Sequence, residues 1–154
     1  MQEKYMKEAL KEAKKAYDKE EVPVGAIIVK DNKIIARGYN SKEEKNNTIK
    51  HAEIIAIEKA SKKLSNWRLE NCEMYVTLEP CPMCAGAIIN SRIKKVYIGA
   101  LDEKSGACGS VLNLFDYPFN HKVEFKSGIL EKECKDLLQR FFKELREKKK
   151  KENR

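Results

Sequence analysis

Apolar residues first recur at helical spacing, at Met6, Ala9, Leu10, Ala13, Ala16 and Tyr17, with lysines and glutamates between them. That stripe predicts an amphipathic helix. Val22-Pro23 should end it, because proline cannot continue the hydrogen-bond ladder. The period then changes. Two β-branched runs, Val24 to Val29 and Ile34 to Tyr39, flank Asp31-Asn32-Lys33 and predict a β-hairpin. Residues 40 to 50 are polar and read as a loop. Helical spacing returns at Ile54, Ile55, Ile57, Ala60 and Leu64, which predicts a helix from His51 to about Lys63.

Beyond it, Met74 to Leu78 reads as a strand that stops at Glu79-Pro80, and Pro82 to about Arg92 as a helix with proline in its first turn. Val96 to Ile98 is a strand bounded by Gly99. Residues 102 to 122 form a long connection with a short helix around Val111 to Phe115. Val123 to Phe125 is a last strand, and a long helix starts at Glu131. A hairpin followed by strands joined through helices implies an α/β fold, a mixed sheet covered by helices on both faces. Neither repeats nor a linker divide residues 1–154, which read as a single domain. The basic tail, 146–154, is expected to be a frayed, solvated helix end.

Chemistry concentrates in two places. His51-Ala52-Glu53 opens one predicted helix, and Pro80-Cys81-Pro82-Met83-Cys84 opens another. A Cys-x-x-Cys at a helix start turns both sulfurs towards one point, and the positive helix end favours thiolates there. Two thiolates and one imidazole suit zinc and leave its fourth tetrahedral position open for water. An open position marks a catalytic zinc, which lowers the pKa of bound water to near 7. Glu53, two residues from His51, is placed to accept the water's proton without binding the metal. His-x-Glu followed about thirty residues later by Pro-Cys-x-x-Cys is the signature of zinc nucleobase deaminases. The other cysteines, Cys72, Cys108 and Cys134, stand alone and read as buried or semi-buried residues.

Composition narrows the partner. The net charge is +8, which favours polyanions. Met1 to Leu10 lacks the apolar core of a signal peptide, and no stretch is apolar enough to span a membrane. Five cysteines without an export signal point to metal chemistry and a cytoplasmic protein.

With those residues in hand, the chain resembles the tRNA adenosine deaminases of the cytidine-deaminase superfamily. The resemblance rests on Glu21-Val-Pro-Val-Gly-Ala26, Gly38-Tyr-Asn40, His51-Ala-Glu-Ile54, and the stretch from Tyr75 through Cys81 and Cys84 to Ala87. Ser91-Arg-Ile93, Gly99-Ala100 with Asp102, and Phe141-Phe142 add to it. It implies a three-layer α/β/α fold with a five-stranded sheet, a homodimer, one Zn2+ per subunit held by His51, Cys81 and Cys84, and Glu53 as the catalytic acid–base. The implied reaction is deamination of adenosine to inosine at the wobble position of a tRNA anticodon stem-loop. The implied substrate contacts are Asn40 on the base or its sugar, Asp102 near the preceding nucleotide or a ribose hydroxyl, and Phe142 and Arg146 beside the RNA groove. His121 reads as an exposed loop histidine near that groove. The chain departs from the commoner family pattern at Lys50, beside the zinc histidine. Two alternatives stay open here: a deaminase of a free base or nucleoside, and a non-catalytic zinc-stabilised RNA-binding subunit.

Overall fold

The structure is a computed structural model that describes residues 1–153; Arg154, the last residue of the basic tail, lies outside them. Helix α1 spans Gln2–Asp18. It stops before Val22-Pro23, because Glu20 turns into the left-handed region at φ 61° and Glu21 N–H returns to the Ala16 carbonyl. Strands β1 (Gly25–Lys30) and β2 (Lys33–Tyr39) form the hairpin. Its two-residue turn, Asp31-Asn32, has φ of 50° and 62°, as a type I′ turn requires.

The segment read as a loop contains one short helix, α2 (Lys42–Lys45). Helix α3 follows at Ala52–Leu64, strand β3 at Cys72–Leu78, helix α4 at Pro82–Asn90 and strand β4 at Lys95–Ala100. Gly99 lies inside β4 rather than bounding it. A Cβ there would overlap Cys134 of the last helix, so the glycine marks a close approach. The short helix expected around Val111 to Phe115 is a single 3-10 turn, Leu114–Asp116. Strand β5 is Glu124–Lys126 and helix α5 Glu131–Glu152.

The sheet is mixed and five-stranded in the order β2-β1-β3-β4-β5. The pairs β2–β1 and β1–β3 are antiparallel, whereas β3–β4 and β4–β5 are parallel. Two glycines reveal the layers. A Cβ on Gly25 would meet the α1 backbone at Ala9 and Ala13, and one on Gly38 the α3 backbone at Ala52 and Ala56. Gly38 pairs with Ala26, next to Gly25, so the two glycines point to opposite faces. Helix α5 joins α1 on its face, where Tyr17 and Phe141 meet edge to face at 5.8 Å, and α4 contacts α3 on the other. Ile27, Ile28, Val76, Val96 and Ile98 fill the space between the layers and are fully buried. Each contributes about 1.5–3 kcal/mol relative to exposure.

Candidate metal centre and catalytic cleft

The parallel half of the sheet has its crevice at the carboxyl ends of β3 and β4. Leu78 ends β3, and Glu79-Pro80 then carries the chain directly to Cys81, the N-cap residue of α4. His51 is the N-cap residue of α3. An N-cap side chain ordinarily bonds to the first turn of its own helix. Neither His51 nor Cys81 does so. For α3 that duty falls to Asn40, whose Oδ1 accepts from Ala52 N–H at 2.8 Å. The imidazole is thereby released to face the cysteines.

His51 Nδ1 lies 3.6 Å from Cys81 Sγ and 3.6 Å from Cys84 Sγ. A tetrahedral zinc with sulfurs at about 2.3 Å and nitrogen at about 2.05 Å needs nitrogen–sulfur separations of about 3.6 Å. Nδ1 thus faces the shared point at the spacing such an ion requires. The three ligand atoms lie within 4.8 Å of one another and form the metal-competent cluster among the described residues. Electrostatics agree with the geometry. The Cys84 hydrogen bond, followed by His51, pulls the Cys81 thiol down to about 4, while the same hydrogen bond and burial push Cys84 well up. Hydrogen bonding to Cys81 raises the His51 imidazole in turn.

Glu53 sits in the first turn of α3, only 3% exposed, and burial pushes its carboxyl up to about 7. It shares a cleft of roughly 470 Å³ with Asn40, His51, Cys81, Asp102 and Phe141. Two other buried acids line the same cleft, and both serve the backbone. Glu21 accepts from Glu43 N–H and Glu44 N–H at the start of α2. Glu79 accepts from the loop after β4. Neither role was legible in the sequence, although both residues fall inside the stretches that carry the resemblance.

The cleft gathers most of the residues expected there. Asn40 lines it, with Oδ1 engaged and its amide NH2 available to donate. Asp102 lines it too, and its carboxylate also accepts from Lys104 N–H, Ser105 N–H and the Ser105 hydroxyl. Phe142 and Arg146 do not line it. Phe141, Leu145 and Lys149 do, because residues four apart share one helix stripe and the next residue along is rotated by about 100°. Phe142 is accordingly 41% exposed on the neighbouring stripe. His121 departs from its expectation as an exposed loop residue: it is half-buried, and Nε2 lies 2.7 Å from the Ile93 carbonyl. Lys50 pairs with Glu58 at 3.2 Å rather than lining the cleft. Cys72, Cys108 and Cys134 are buried, and burial raises all three thiols. The basic tail keeps helical backbone to Glu152, supported by Lys148 reaching Glu20 at 3.2 Å.

Comparison with known proteins agrees with this arrangement. The family described as MafB19-like deaminase matches residues 1–146. The chain is 54% identical over 149 residues to a tRNA-specific adenosine deaminase of Bacillus subtilis (strain 168), covering 96% of this chain and 92% of that one. It is 51% identical over 145 residues to one from Aquifex aeolicus (strain VF5), covering 94% and 95%. Among solved structures it is similar to one from a study of A-to-I editing by tRNA:A34 deaminases at the wobble position of transfer RNA. That match has a TM-score of 0.85 at 43% identity and covers 87% of this chain and 98% of the other.

Proposed function

Because the chain belongs to the family of tRNA-specific adenosine deaminases, we propose that it converts adenosine to inosine at the wobble position of a tRNA anticodon. The overall change adds water at C6 of the adenine and releases the exocyclic amine as ammonia. The observation that carries this reading is the 54% identity, across nearly the whole of both chains, to a tRNA-specific adenosine deaminase. The geometry of the cleft supports the chemistry independently.

His51, Cys81 and Cys84 would hold one zinc ion. When bound, zinc supplies the Lewis acidity that makes water nucleophilic near neutral pH. Glu53 moves the protons: its carboxylate takes one from the water and delivers it to a ring nitrogen of adenine, then takes the second from the hydroxyl added at C6 and delivers it to the departing amine. A carboxyl held near 7 suits both directions of transfer. Asn40 orients the nucleotide through its amide NH2, because Oδ1 is already bonded to α3. Asp102 faces a ribose hydroxyl or the preceding nucleotide. Phe141, Leu145 and Lys149 form the wall of the cleft that α5 supplies, and Phe142 and Arg146 lie beside it for the strand that runs on. The substrate is an anticodon stem-loop, whose unpaired wobble base needs little unstacking energy to enter the cleft. The reading includes a homodimer working in the cytoplasm.

The deciding experiment supplies an anticodon stem-loop with adenosine at the wobble position, the same stem-loop with guanosine there, and free adenosine, guanine and cytidine. Ammonia release is followed and inosine is mapped. Inosine should form at the wobble position of the first substrate only. Turnover of free guanine or cytidine without turnover of the stem-loop would replace this reading by that of a free-base or nucleoside deaminase.

A further inference from the structure

We infer that Glu79 is a positioning residue for this deamination, holding the Asp102 rim of the cleft in register with the metal end. The inference rests on the deaminase reading above and concerns a carboxylate which that chemistry leaves without a role.

Glu79 is 2% exposed, which is costly for a carboxylate unless every lone pair finds a donor. Four donors meet it. Oε1 accepts from Asp102 N–H at 3.0 Å and from the Ser110 hydroxyl at 2.5 Å. Oε2 accepts from Cys108 N–H at 2.9 Å and Ser110 N–H at 3.1 Å. All four belong to one loop, residues 102 to 110, wrapped around a single carboxylate. Two further observations define the fit. A Cβ on Gly106 would overlap the Glu79 carboxyl, so only glycine lets the loop close on it. Ala107 N–H also donates to the Pro80 carbonyl at 2.8 Å, which ties the loop to the residue immediately before Cys81.

The consequence lies in what the loop carries. Asp102 and Ser105 both line the cleft, and their side chains bond to each other at 2.9 Å. The Asp102 carboxylate is fixed by its own loop, whose place is fixed by Glu79. One acid thus sets the distance between the substrate rim and the start of α4, without touching the substrate. Hydrogen bonds to a charged acceptor are stronger than neutral ones, and a glutamine here would turn an NH2 donor towards N–H groups.

The test compares wild type and Glu79→Gln for zinc content, thermal unfolding, and KM and kcat on the anticodon stem-loop. KM should rise about tenfold to a hundredfold, the equivalent of one or two lost charge-assisted hydrogen bonds. Zinc should stay at one ion per chain and kcat should change far less than KM. Gly106→Ala should shift the same parameter in the same direction. The double variant should add little to the larger single effect, because both act on one contact. If Glu79→Gln fails to fold, Ser110→Ala removes one donor and should give a smaller rise in KM. An unchanged KM in folded variants overturns the inference, as does a fall in kcat with loss of zinc, which would make Glu79 a support of the metal ligands. Absence of wild-type turnover on the stem-loop overturns the deaminase reading itself, and the inference with it.

Discussion

His51 and Glu53, two residues apart on one helix start, are held to different work by their surroundings. His51 is half-buried at the N-cap position, with its cap duty taken by Asn40 and its Nδ1 turned to two sulfurs. Glu53 is buried in the first turn of α3, where burial keeps a proton on it well above the ordinary carboxylate range. Glu53→Gln keeps the size and polarity of the side chain but cannot exchange a proton. It should lose deamination by about two to four orders of magnitude, the usual size of a general acid–base contribution. Zinc content, measured by elemental analysis, should remain at the wild-type value. Appreciable turnover by the variant would remove Glu53 from the proton path.

Helices pack closely on both faces of the sheet because neighbouring strands make room. Gly25 on β1 admits the α1 backbone and Gly38 on β2 admits α3, so the layers pack closer than any side chain would allow. Gly25→Ala would drive a Cβ into the carbonyl oxygen of Ala9, a backbone atom that cannot turn aside. We expect a loss of about 2–4 kcal/mol, in the range of overpacked or strained core substitutions. It would be read as a lower midpoint in urea at unchanged m-value. Gly86 meets nothing within 4 Å, so Gly86→Ala on α4 is the matched control, expected to be neutral or mildly stabilising through helix propensity. Equal effects at the two glycines would contradict this account of the layers.

For the molecule as a whole, the question is how a chain of net charge +8 meets a folded polyanion. A few of its lysines pair with glutamates, as Lys11 does with Glu8, Lys15 with Glu12 and Lys50 with Glu58. Where both partners are exposed, such a pair contributes little to stability, about 0–1 kcal/mol. Lys149 instead lines the cleft. Association with the stem-loop should therefore weaken steeply with salt, by about 0.7 in log K per log unit of salt for each single-strand phosphate neutralised. Plotting log KM against log salt between low and physiological ionic strength should give a slope of several such contacts. A flat plot would mean that recognition is confined to the base in the cleft.

Period and motif determined a great deal. The helical stripe at Met6 to Tyr17, the β-branched hairpin around Asp31-Asn32, and the His-x-Glu and Pro-Cys-x-x-Cys segments specified element types and reaction class and pointed to the cluster of His51, Cys81 and Cys84 that the structure brings together. They could do so because each signal is local: side-chain periodicity and helix-start chemistry depend on residues within a few positions. Only the tertiary structure decided that Phe141, Leu145 and Lys149 line the cleft rather than Phe142 and Arg146, since helix rotation is set by what packs beneath it. It decided that Asn40 caps α3 in place of His51, that His121 bonds to Ile93, and that Glu21 and Glu79 each clamp a wall of the cleft. Those pairings join residues 12 to 31 positions apart. No pattern along the chain marks which buried acid will meet backbone donors and which will be left free to move a proton.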